Sequence, residues 1–178
     1  VTKPVYRVET PLASARHILI SFENVQKSME SAGETTESTE TSATASDGTV
    51  INNETKYSTA VVLKAYEQAK SLLDQYKSGD QTEEAFAELA NKNSADTSST
   101  KNDNGGLYED IELGKMVAPF ENWVYDESRK PGDIGLVETT YGWHIMYFVD
   151  KHDEAEWIET IRNSIVSEKM TAEAETVK

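Results

Sequence analysis

YGWHIMYF, residues 141–148, reads as a β-strand with two apolar faces. Side chains alternate along an extended chain, so Trp143, Ile145 and Tyr147 fall on one side and His144, Met146 and Phe148 on the other. Such a strand belongs inside a sheet covered on both faces, where a titratable imidazole is out of place. ARHILISF, residues 15–22, repeats the feature with His17. The chain has three histidines, and its two best strand candidates hold two of them. A lone histidine in an apolar strand is usually a satisfied core residue. Two of them call for a shared reason.

The 178 residues carry a formal charge of −15 and no cysteine. That length suits one ordinary domain with appendages, or two small ones. Thiol nucleophiles, disulfides and thiolate metal sites are excluded, while the compartment stays open. The acidic balance argues against nucleic acid or an anionic membrane as a partner held by a basic field. No run is apolar for long enough to span a bilayer, so this chain inserts in none directly. VTKPVYRVETPLASA at the start lacks the apolar core of a signal peptide. The missing initial Met suggests an excised fragment, with any export signal or lipid anchor upstream.

Residues 1–14 read as a linker. Residues 24–56 are rich in Ser, Thr and Glu and bury too little to offset their ordering entropy, so a long, mostly mobile acidic loop is expected there. A short hairpin is expected near residues 48–51. From Tyr57 the period becomes helical, with Val61, Ala65, Ala69, Leu72, Leu73 and Tyr76 on one face and a stop at Gly79. Asp80 with Glu83 resembles an N-cap, opening a shorter helix that buries Phe86, Leu89 and Ala90. A loop over 94–106 ends in paired glycines. In MVAPFENWVY, residues 116–125, Pro119 suits the first turn of a helix burying Phe120, Trp123 and Val124. KPGD at 130–133 is a turn and IGLVET a strand, joined to the last strand through Tyr141-Gly142. Residues 153–178 are expected to hold a C-terminal helix, with Trp157, Ile158, Ile161, Ile165 and Met170 as its stripe. No repeat is evident. Segregated elements of this kind imply α+β with an antiparallel-dominated sheet.

RHILI, FAELANKNSAD, NGG, GKMVAPFE and GDIGLVETTYGWHI, in this order, together resemble the parvulin-type peptidyl-prolyl cis/trans isomerases. The likeness is nearest to the exported foldases of Gram-positive bacteria. It implies a four-stranded, antiparallel-dominated sheet surrounded by helices, a domain over 15–152 with the acidic insertion inside it, and residues 153–178 shared with a neighbouring chaperone domain. It also implies that His17, Asp96, His144 and Thr139 form the catalytic group and that Met116 and Phe120 floor a proline pocket. Tyr141 would sit beside it. Ile111 and Tyr108 stand where the family has a pocket phenylalanine and a leucine, because GGLYEDI departs from the usual pattern. The acidic insertion replaces a loop that is basic in phosphate-directed relatives, which argues against recognition of a phosphorylated residue before proline.

The implied function is isomerisation of X-Pro bonds in unfolded or newly exported polypeptides, outside the cytoplasm, with no cofactor or metal and with anchoring through an upstream segment. Rival readings are a holdase with little catalysis and a structural surface domain. His17, His144 and Asp96 also spell a two-histidine, one-carboxylate metal set, although no tight local spacing supports it. His152 and Glu156, at i and i+4, read as a solvated helix start. Gly105-Gly106 lacks the Lys and Ser/Thr of a phosphate loop.

Overall fold

The computed structural model describes residues 11–153. Residues 154–178 of the expected C-terminal helix and residues 1–10 of the expected linker lie outside them, and Asp153 ends the last strand. Strand β1 (Pro11–Ser21) pairs antiparallel along its whole length with β6 (Gly142–Asp153). These are the two strands that carry the histidines. β4 (Leu107–Ile111) flanks β1 and β5 (Ile134–Glu138) flanks β6, which gives a four-stranded sheet in the order β4-β1-β6-β5, with antiparallel pairs throughout. The first strand begins at Pro11 rather than residue 15, so the end of the expected linker belongs to the sheet. Proline has no N–H to donate and is tolerated at a strand's first position.

The alternation read in β6 divides the core in two. Trp143, Ile145 and Tyr147, with Ile18 and Ile20 of β1, pack under α1 (Phe22–Ser31), α2 (Thr59–Ser78) and α3 (Glu83–Asn93). Met146 and Phe148, with Ala13 and Ala15, meet Phe120 and Val124 of α4 (Ala118–Val124). His17 and His144 lie on this second face, both buried.

Helix α1 corrects the expected loop over 24–56. Ser21 caps it, and Phe22, Val25 and Met29 are buried along one side, which is enough apolar surface to hold a short helix against α2. Further on, β2 (Ser42–Thr44) and β3 (Val50–Asn52) form the expected hairpin. Ile51 enters the core, and the Tyr66 hydroxyl donates to Asp47 and lies 3.1 Å from the Thr49 hydroxyl. The N-cap of α3 is Thr82, not Asp80, since the Ala85 N–H donates to Thr82 Oγ1 at 3.2 Å. Pro119 sits in the first turn of α4, where its missing N–H costs nothing.

Candidate active site

β1 and β6 place their histidines by register. His17 lies opposite Met146 and Leu19 opposite His144, so the two imidazoles are diagonal neighbours on one sheet face, within reach of each other. Their rings stack at 5.1 Å with Nδ1 to Nδ1 at 2.9 Å. Thr139, at the end of β5, sets its Oγ1 2.9 Å from His144 Nε2. Asp96 follows α3. The Leu19 N–H donates to Ser94 Oγ and the Ala95 N–H to the Leu19 carbonyl, which pins this loop to β1 and brings Asp96 Oδ2 to 2.9 Å from His17 Nε2.

The paired glycines fix the fourth side. The His17 N–H donates to the Gly106 carbonyl at 2.9 Å. A Cβ on Gly106, whose φ is +72°, would stand 2.2 Å from the His17 carbonyl oxygen. Only glycine allows this approach, and it starts β4 beside His17. Tyr108 of β4 then lays its ring 5.3 Å from the His17 ring and donates its hydroxyl to Asp96 Oδ2 at 2.8 Å.

Hydrogen-bonding roles follow from the acceptors. Ionised Asp96 accepts from His17 Nε2–H, and with both rings singly protonated Nδ1 of His17 accepts from His144 Nδ1–H. His144 Nε2 then accepts from the Thr139 hydroxyl, and each ring carries one proton. The His17 hydrogen bond, with further ones from Ser98 and Tyr108, holds the Asp96 carboxyl well below the usual carboxylate range against its partial burial. Burial pushes His144 down to about 3. It is therefore neutral near pH 7.

Against this chain of groups lies a cavity of about 360 Å³, bordered by His17, His144, Asp96, Tyr108, Met116 and Phe120. The Phe120 ring meets both imidazoles edge-on, at 5.5 and 5.7 Å. Leu19, Lys115, Val117 and the 61 % exposed Tyr141 complete its rim. Eight of the nine residues singled out in the sequence thus converge: Thr139 behind His144, and the other seven on the cavity. Ile111 is the correction. It is 3 % exposed and packs in the core with Val124 and with Ala13, its register partner on β1. The metal set is also not assembled as such, since His17 and His144 point ring nitrogens at each other and not at a common centre.

Sequence reasoning missed two serines. The Ser98 N–H and hydroxyl both donate to Asp96 Oδ1, and the buried Ser99 places Oγ 3.2 Å from His17 Nε2. Asp followed two residues later by Ser is the pattern of a side-chain-capped turn, which could have revealed the first.

A family model described as the PPIC-type PPIASE domain matches residues 34–152, well over half of the chain. The chain belongs to the PPIC-type PPIase family. Among curated relatives of this chain, Foldase protein PrsA 1 of Listeria innocua is 32 % identical over 112 residues, covering 58 % of this chain and 36 % of the relative. Foldase protein PrsA of Halalkalibacterium halodurans is 33 % identical over 123 residues, covering 66 % and 34 %. The chain thus spans about a third of the length of these relatives. The crystal structure of the peptidylprolyl isomerase PrsA from Bacillus anthracis aligns with a TM-score of 0.48 at 23 % identity, over 89 % of this chain and 52 % of that one. Among the described residues, no helix is long and apolar enough to cross a membrane.

Proposed function

We propose that this chain is a peptidyl-prolyl cis/trans isomerase that turns X-Pro bonds in unfolded or newly exported polypeptides outside the cytoplasm. The observation that carries the reading is the alignment of Thr139, His144, His17 and Asp96 along one wall of a cavity floored by Met116 and Phe120. Prolyl rotation breaks no covalent bond. Its barrier is amide resonance, which in water takes tens to hundreds of seconds to cross. The apolar floor grips the pyrrolidine ring and strips water from the amide, and less polar surroundings disfavour the charge-separated resonance form that must be lost.

Neither histidine moves a proton. Each holds a fixed tautomer, and together they tie Asp96 rigidly to the sheet. The Asp96 carboxylate sets a negative field at the cavity edge, where it favours a twisted, charge-localised amide. Tyr108 braces that carboxylate from the wall where the family pattern has a leucine. The names of the foldase relatives support polypeptide substrates.

The test is the isomerisation rate of proline-containing tetrapeptides with wild-type protein and with Asp96→Ala, folding being checked by circular dichroism. Acceleration by the wild type and a drop of about ten-fold or more in the variant support the reading. No acceleration, together with suppressed aggregation of an unfolded client, would make the chain a holdase instead.

A further inference from the structure

A second cavity, of about 500 Å³, lies beside the first, and Leu19 and Tyr141 border both. Its own wall includes Glu23 of α1 and the segment after β3, with Glu54, Lys56 and Tyr57. That segment is not a loose loop. The Asn53 side chain donates to the Tyr57 carbonyl and accepts from the N–H and hydroxyl of Thr55, while the Tyr57 N–H donates to Thr55 Oγ1. Tyr57 in turn packs on Phe22 at 5.4 Å. Part of the acidic insertion is thereby built into a fixed wall next to the prolyl slot.

The charges on this wall are unequal. Glu23 is paired with Lys27 at 2.5 Å. The Lys56 ammonium lies over the Tyr57 ring, 5.2 Å from its centroid. Glu54 is exposed and forms no ion pair among the described residues. Its charge reaches neighbouring groups, adding to the burial that raises the Glu138 carboxyl. With Glu23 held by Lys27, Glu54 is the carboxylate of this wall left without an ion pair among the described residues. A cationic guest would meet Glu54, with the Tyr141 ring to cover its stem and Lys56 drawn aside over Tyr57.

We propose that this cavity is the subsite for a side chain flanking the proline of the bound peptide and that it selects lysine or arginine; the inference rests on the isomerase reading of the adjoining slot. An extended peptide advances about 3.3 Å per residue. A side chain next to the proline therefore leaves the slot over Leu19 and Tyr141 and enters the second cavity. Exposed ion pairs of this kind are worth a few-fold in rate and are weakened by salt.

The experiment compares isomerisation of tetrapeptides that differ only in the residue flanking proline, Lys, Ala or Glu, placed before it or after it, at low and high salt. Expected at low salt is about a three-fold higher kcat/KM for Lys than for Glu on one side of the proline. The preference should shrink at high salt, collapse toward one in Glu54→Gln and invert in Glu54→Lys. Glu54 is exposed, so both variants should fold, which circular dichroism checks. Equal rates for the three peptides on both sides, or a Lys preference untouched by either variant, would overturn the subsite while leaving the isomerase reading intact. Failure to accelerate any peptide would overturn that reading, and the subsite with it.

Discussion

His17 and His144, 127 residues apart in the chain, meet Nδ1 to Nδ1 at 2.9 Å in the buried middle of the sheet. Only one hydrogen fits between them, so the protonation of one ring dictates that of the other. With Asp96 fixed at one end and Thr139 at the other, the four groups have a single consistent arrangement while both rings are neutral.

That arrangement is visible by NMR. Nitrogen-15 spectra of the imidazoles at pH 7 should show His144 protonated on Nδ1 and His17 on Nε2. The opposite tautomers, or a charged His144, would contradict the assignment.

Thr139→Val keeps the shape of the side chain but removes the hydroxyl that His144 Nε2 and the Tyr141 N–H both use. Leaving such groups unpaired should cost about 1–3 kcal/mol in denaturant unfolding. Thr139→Ser should recover most of it. Equal stability of all three proteins would show that the hydroxyl is not part of the network.

Acid should unfold the domain in two stages. His144 is near 3 folded against 6.5 unfolded, so between these values the unfolded state binds more protons and stability rises with pH. Its contribution is complete above about pH 6.5 and is lost as pH falls toward 3, by several kcal/mol at most. Asp96, also lowered, adds a further loss below its ordinary value near 4. Urea midpoints measured from pH 7 to 3 should fall throughout. In His144→Phe the fall should begin only near pH 4. A wild-type curve flat between pH 6.5 and 4 would contradict the burial of a neutral His144.

Gly106→Ala should lower stability by more than about 2 kcal/mol, since it combines an unfavourable φ with a backbone clash at His17. Gly48 also has a positive φ, with open space around it, so Gly48→Ala should cost about 1 kcal/mol. Similar thermal shifts in the two variants would show that β4 can retreat from β1.

The sequence exposed what periodicity can carry. Two long apolar strands, α2 and the Pro119 helix follow from spacing alone, and the strands' alternation put His144 with Met146 and Phe148 on the correct face. β4 escaped because it is a five-residue edge strand in which Glu109 and Asp110 are exposed; nothing in it alternates cleanly. Helix α1 was hidden because its stripe of Phe22, Val25 and Met29 runs into a Ser/Thr/Glu-rich tract. Within the site, His17 and His144 stood out in the strand pattern, while their role and that of Asp96 came from a resemblance. The Tyr108 bond to Asp96 and the pinned wall around Glu54 arise from tertiary contacts, which no local pattern records. Ile111 was misplaced for the same reason: its burial against Ala13 and Val124 is a tertiary contact.

The central claim is tested most directly by exchange NMR on an Ala-Pro tetrapeptide containing substoichiometric protein, read together with the shifts of the protein's own signals. The account predicts cis/trans exchange far faster than the uncatalysed tens to hundreds of seconds, with shifts centred on His17, Met116, Phe120 and His144. Exchange at the uncatalysed rate, or shifts clustered on a face away from that cavity, would contradict it.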